Sequence, residues 1–415
     1  MNRIQRPKGT TDTIPPHSRQ IERVVERALT EFRLYGYHRI DTPVYEHTDL
    51  FERGLDEGSD IVTKEMYTFE DKGGRSVTLR PDMTAPVMRA VLENGMDKGS
   101  LPLKLYYHVP VFRHEKPQSG RFRQFWQVGV EALGPSGPSI DAEVVKLASD
   151  SILAAGVPDA VLRLNTIGHP ECREAYIPRL RAFLENHRSE LCEDCARKID
   201  RNPLRTFDCK VESDRALMEN APLITEFICD ECRSHFEDLK AMLDSLSVPF
   251  ELDPTLVRGL DYYSRTTFEF VSPRLGAQSS VGAGGRYDYL GELIGGVSLP
   301  GVGFGLGIER LLMAADLREP APVRELVFVV ATAGLRRDAL KLAARLRSQG
   351  IPSDVDHMER SVKAQFRSAA RAGATKVIVM GEREAAVGRF TVKDMASGEE
   401  VEVGADHLMT ALAPQ

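Results

Sequence analysis

Tryptophan occurs once in 415 residues, and aromatic residues make up only 7% of the chain. No apolar run approaches the roughly 18 residues that a membrane span needs. The N-terminal stretch MNRIQRPKGTTDTIPP lacks the apolar centre of a secretory leader. These shortages predict a cytoplasmic protein with no membrane attachment. Positive charge is not in excess either: the formal net charge is -7. That argues against nonspecific coating of nucleic acid, although a local basic face can still grip a phosphate backbone. Internal repeats and low-complexity tracts are missing, which argues against a solenoid.

Cysteine is scarce but unevenly placed. Five of the six cysteines fall between Cys192 and Cys232. With no export signal they read as reduced thiols or metal ligands rather than a disulfide framework. Cys192-x-x-Cys195 and Cys229-x-x-Cys232 have the pair spacing of a tetrahedral structural zinc site, with Cys209 and His235 as substitute ligands. Free thiols are the preferred reading and zinc the alternative.

What is present is enough length for two or three cores, with 42% hydrophobic residues. Apolar residues at 21, 24, 25, 28, 29 and 32 have helical spacing, with Gly36 as terminator. SVTLRPDM, LKLYYHVPVFRHE and FRQFWQVGVEALG are rich in β-branched and aromatic residues and predict neighbouring antiparallel strands. A helical, cysteine-bearing stretch at about 170-248 then interrupts the sheet pattern. GVGFGLGIERLLMAA predicts a glycine-rich strand leading into a helix. The prolines of REPAPVRE mark a linker, which divides a unit 1-321 from a small α/β unit 322-415.

Three constellations could carry chemistry. Arg113, Arg121 and Arg123 flank a Pro/Ser/Gly loop, and guanidinium forks suit phosphate oxygens. Gln127 and Glu131 share one strand face, because side chains alternate with period two. Buried, Glu131 needs an arginine, water or a ligand's donor. Arg258 and Asp261 precede a strand in LVRGLDYY, where composition alone suggests a turn with a salt bridge.

Together, RPDMT, FRHEKPQSGRFRQFWQVGVE and GFGLGIERL resemble the signature segments of class II aminoacyl-tRNA synthetases. LVRGLDYY, AGGRYDYL and KGTTDTIPP narrow the resemblance to the histidyl-tRNA synthetase family, over nearly the whole chain. The resemblance implies an α+β fold: an antiparallel class II core with a helical insertion, followed by an α/β anticodon-binding domain at 322-415. It implies a homodimer, ATP and L-histidine as substrates with Mg²⁺, and tRNA(His) as partner. It places Asp82, Met83, Thr84, Gln127, Glu131, Arg258, Tyr262, Tyr263 and Tyr287 around histidine, with Glu131 and Tyr263 reading the two imidazole nitrogens. Arg113, Arg121 and Arg310 would hold ATP, and Arg258 and Arg113 would be catalytic. Asp82 stands where the family more often has glutamate. The alternatives are a noncatalytic paralogue, the regulatory subunit of an ATP phosphoribosyltransferase, and a class II synthetase for another amino acid.

Overall fold

The computed structural model describes residues 3–54, 65–257, 262–276, 279–317 and 326–412. The chain divides into two compact units, Met1–Leu317 and Arg318–Gln415. In the first unit, helix α1 (His17–Leu34) buries Val24, Val25, Ala28 and Phe32, the stripe expected from the spacing. It stops at Gly36, whose φ of 79° is the left-handed conformation that glycine adopts without strain.

The strands follow as β1 (His38–Arg39), β2 (Tyr45–His47), β3 (Tyr67–Glu70), β4 (Ser76–Leu79), β5 (Leu103–Phe112), β6 (Gln124–Leu133), β7 (Val161–Thr166), β8 (Glu251–Leu252), β9 (Ser264–Val271), β10 (Ser280–Arg286) and β11 (Gly301–Gly307). Eight of them form one sheet in the order β1-β5-β6-β11-β10-β9-β7-β8. The six central strands pair antiparallel, and the edges β1 and β8 pair parallel. The expectation that SVTL neighbours the next two strands is corrected: β4 lies between β2 and β3 in a separate three-stranded sheet. Both edges of β5 are already taken, by β1 and β6, so no ladder remains for β4 to join.

The large sheet is buried on both faces. Val128, Val130 and Ala132 of β6 pack with α1, with the helix Pro138–Ala154 and with the helix Ile308–Ala314 that follows β11. The opposite face carries Leu105, Tyr107 and Val109 of β5, Tyr263 and Tyr287, and the helix Thr84–Glu93. Between β7 and β8 the chain leaves the sheet through four α-helices, Pro170–Asn186, Glu193–Arg201, Glu212–Met218 and Asp230–Ser245. The last of these returns Phe236, Leu239 and Leu243 to the first core.

The second unit is a five-stranded sheet in the order β13-β12-β14-β15-β16, with β12 (Val327–Ala331), β13 (Ser353–Val355), β14 (Lys376–Met380), β15 (Arg389–Asp394) and β16 (Glu400–Gly404). The helix Arg336–Ser348 covers one face and Val362–Ala372 the other. Strand β16 escaped the sequence reading because three of its five residues are glutamate or glycine and most of it is exposed. Pairing to β15 alone holds it.

Candidate active site

Gln127 and Glu131 sit on one face of β6. Register places Glu131 opposite Leu105 and Gly303, and Gln127 opposite Val109 and Gly307. The glycines of β11 make this arrangement physically allowed. A β-carbon on Gly303 would overlap the Glu131 carboxylate, one on Gly305 the Gln127 amide, and one on Gly301 the Tyr287 ring. The spacing GVGFGLG thus gives room to the protein's own side chains, which lie across β11 from the neighbouring strand and the following loop.

Glu131 is 1% exposed. It accepts a hydrogen bond from Thr84 Oγ1 at 2.9 Å and another from the Tyr287 hydroxyl, with the Tyr107 hydroxyl 3.5 Å away. Burial pushes its carboxyl up to about 8; the hydroxyls of Tyr287 and Thr84 oppose the rise, and the nearby Asp82 charge adds to it. Asp82, on the loop that opens the helix Thr84–Glu93, is also buried, and its carboxyl is raised because burial outweighs the attraction of Arg113. The Ala85 amide lies 3.5 Å from Asp82 Oδ1. Asp82 Oδ2 and Gln127 Oε1 are buried with no hydrogen-bond partner among the described residues. Unsatisfied buried acceptors are costly and suit a ligand that brings N–H donors.

Aromatic rings wall this pocket. Tyr262 lies 4.9 Å from Tyr263 and 5.9 Å from Tyr287, centroid to centroid. Arg173, in the first helix after β7, donates to the Tyr263 carbonyl at 2.5 Å and braces the segment. Met83 is buried in the core below, with Thr42 Oγ1 3.8 Å from its sulfur. Tyr107 and Arg173 were not anticipated. The alternation of LKLYYHV places residue 107 on the face of 105 and 109, so Tyr107 was findable; nothing local signals Arg173.

A cationic group adjoins the pocket. Arg113 Nε donates to the Pro81 carbonyl at 2.8 Å, and its guanidinium lies 5.6 Å over the Phe125 ring. Arg121 pairs with Glu115 at 2.7 Å. Arg310, in the helix after β11, donates to the Ser280 carbonyl at 2.5 Å. Burial lowers its pKa, and the like charge of Arg121 lowers it further. An anion beside Arg310 would relieve that repulsion. Arg258, with Gly259 and Asp261, lies outside the described residues, so the expected Arg258–Asp261 turn does too.

The GGRYD segment splits between two tasks. Arg286 is fully buried and bonds to Asp141 and, at 2.8 Å, to Asp288, while the next residue, Tyr287, points to Glu131 on the other side. Asp141 also accepts from His235 Nε2 at 2.8 Å and Thr266 Oγ1 at 2.6 Å. Despite burial, its carboxyl is held low by His235 and Arg286. His235 is therefore occupied structurally and is no substitute metal ligand.

The single four-cysteine site is also corrected. Cys192 and Cys195 gather with Cys209 and Asp214, whereas Cys229 and Cys232 gather with His169 and Cys172. The two Cys-x-x-Cys pairs begin different helices, and each helix start closes against its own neighbouring segment.

A family model described as histidyl-tRNA synthetase matches residues 9–311, and one described as an anticodon binding domain matches residues 326–414. The histidine–tRNA ligase of Halothermothrix orenii is 47% identical over 404 residues, covering 96% of each chain. That of Rubrobacter xylanophilus is 47% identical over 420 aligned positions, covering 99% of each. The crystal structure of apo S. aureus histidyl-tRNA synthetase matches with a TM-score of 0.82 at 36% identity, covering 99% of this chain and 100% of that one.

Proposed function

The chain belongs to the histidyl-tRNA synthetase family: with ATP it activates histidine and joins it to tRNA, and we propose which residues carry each step. The histidine imidazole lies between Glu131 and Tyr263, so that both ring nitrogens are read and an amino acid lacking either is rejected. Asp82, Gln127 and the Thr84 hydroxyl receive the α-amino group. Tyr262 and Tyr287 enclose the ring, and Met83 supports it from the core. Support comes above all from the buried acceptors Glu131, Asp82 Oδ2 and Gln127 Oε1 in one aromatic-walled pocket.

In the first step a histidine carboxylate oxygen bonds to the ATP α-phosphorus. The bond from that phosphorus to the bridging oxygen breaks, and its electron pair leaves with pyrophosphate. Arg258 and Arg113 neutralise charge at the α-phosphate, and Arg121 and Arg310 hold the outer phosphates. In the second step a hydroxyl of the terminal tRNA ribose attacks the histidyl carbonyl carbon, the bond from that carbon to the phosphate oxygen breaks, and AMP leaves with its electron pair and the hydroxyl's proton. No protein nucleophile takes part, so catalysis is positioning and charge stabilisation.

Mg²⁺ would be held by one or two carboxylates beside the phosphates. Glu115 and Glu269, whose charges both bear on Arg310, are the acidic groups of suitable type there. Such an ion would supply further neutralisation of phosphate charge. No step calls for zinc, so a metal in the insertion would be structural.

The unit at 322-415 reads the anticodon end of tRNA(His), and 1-321 performs the chemistry. The enzyme acts as a homodimer in the cytoplasm: Val44, Tyr45 and Phe69 on or beside the three-stranded sheet are exposed apolar groups that a second copy would cover. The six cysteines are unbridged, as expected of a reducing compartment. Among the described residues no helix is long and apolar enough to cross a membrane. The regulatory-subunit alternative is less well supported, because named ligases align over nearly the full chain and the anticodon domain is present.

The test is ATP–pyrophosphate exchange with histidine, proline, threonine and glycine in turn, followed by charging of tRNA. Exchange with histidine alone, then histidyl-tRNA, is expected. Failure of exchange with histidine would overturn the assignment.

A further inference from the structure

We propose that the insertion holds two separate zinc ions, one bound by His169, Cys172, Cys229 and Cys232 and the other by Cys192, Cys195, Cys209 and Asp214. In each set the four ligand atoms lie within 4.8 Å of one another.

The distances fit the metal. Zinc–sulfur bonds of about 2.3 Å at tetrahedral angles put two sulfurs about 3.8 Å apart, and a sulfur and a histidine nitrogen about 3.5 Å apart. In the first set Cys172 and Cys232 have their sulfurs 4.0 Å apart, and Cys229 Sγ is 3.4 Å from His169 Nε2. In the second, Cys192 and Cys209 have sulfurs 3.9 Å apart, and Cys209 Sγ is 3.4 Å from Asp214 Oδ2. None of these contacts is a disulfide.

Backbone geometry repeats in a way that favours thiolates. Cys192 and Cys229 are each the residue that caps a helix, and each sulfur accepts the amide N–H of the cysteine three residues on, at 3.4 Å. His169 stands immediately before the helix Pro170–Asn186, with Cys172 in its first turn. Amide donors and the positive end of a helix both stabilise negatively charged sulfur. The His169 Nδ1 lies 3.2 Å from a Glu171 carboxylate oxygen, to which it donates when it carries the ring proton. A carboxylate on that nitrogen orients the ring and leaves Nε2 to a metal.

Asp214 is a second, independent indication. It is fully buried, and among the described residues no Lys, Arg or His pairs with it. Its hydrogen-bond donors are the Cys192 amide at 3.2 Å, the Ser213 hydroxyl at 3.3 Å and the Cys209 thiol. A buried carboxylate with no cationic side chain beside it is unusual, and a divalent ion bonded to it would stand where that cation is missing.

The two ions would do different work in the fold. The first joins the helix that opens the insertion to the helix that closes it, ligands about 60 residues apart in sequence. The second joins helix Glu193–Arg201 to the segment ending at Asp214, inside the insertion. Each closes a loop that side-chain packing alone would have to hold.

The experiment is zinc analysis by mass spectrometry on full-length protein purified without chelator, alongside Cys232→Ser, Cys195→Ser and the double variant. Two zinc ions per chain are expected in the parent, one in each single variant and none in the double. To keep the test independent of how the variants fold, cobalt is also titrated into metal-stripped parent protein. Two equivalents should develop the absorption of tetrahedral cobalt thiolate sites. Parent protein with well under one zinc per chain and no such cobalt bands would overturn the proposal. So would a folded single variant, judged by circular dichroism, that loses both ions.

Discussion

Glu131 carries an unusual burden for a carboxyl group, since it is buried on a strand and surrounded by hydroxyls rather than by a cation. Folding raises its pKa from the ordinary 4.5 to about 8, so between those values the folded chain keeps a proton that the unfolded chain has released. Its contribution to stability is therefore greatest at acidic pH and falls as pH rises through that window. Thermal unfolding of ligand-free protein should show a shallower loss of stability toward pH 8 in Glu131→Gln than in the parent. An unchanged slope would mean that Glu131 is not proton-bound in the fold. The same variant should lose about 10- to 100-fold in kcat/KM for histidine in the exchange assay, as expected for removing a charge-assisted hydrogen bond. Arg258→Ala should keep the fold while losing adenylation by several orders of magnitude, because the contact it removes develops in the transition state. Near-normal exchange would return Arg258 to a structural role.

At the scale of elements, the pairing of β6 with β11 decides the pocket. Polar side chains on one strand need an adjacent strand without side chains, and Gly303 and Gly305 provide it. Gly305→Ala, whose β-carbon would meet the Gln127 side chain alone, should cost about 1–3 kcal/mol by overpacking and should displace the Gln127 amide. Urea denaturation gives the first quantity, and the second is read as a rise in KM for histidine with KM for ATP nearly unchanged. Equal effects on both substrates would place the disturbance in the sheet at large. Elsewhere, Asp141 ties the helix Pro138–Ala154 to β10 through Arg286, to β9 through Thr266 and to the insertion through His235, so one carboxylate joins four elements. A pair of this kind is destabilising to break because it leaves the partner charge buried.

For the whole molecule, the division into two units suggests a division of labour. Removing residues 322-415 should reduce tRNA charging far more than histidine-dependent exchange. Equal loss of both activities would argue against a separate tRNA-binding role. The second unit holds its own cores on both faces of its sheet, which is why its removal need not disturb the first.

Much of this is legible in the sequence. The stripe of α1, the strands β5 and β6, the glycine-rich β11 and the alternating units of the second domain are local patterns, and helix and strand periods expose them directly. The shared face of Gln127 and Glu131 follows from period two alone. Tertiary structure alone decided the rest. SVTL was sent to a second sheet because the edges of β5 were full. Tyr287 came to Glu131 while Arg286 was drawn to Asp141, 145 residues earlier in the chain. The cysteines were sorted by which helix starts meet, so pairs with identical spacing joined different partners. Sequence spacing fixes what lies within one helical turn or one strand, whereas the partners of a buried charge or thiol are set by which distant segments the closed fold brings within bonding distance.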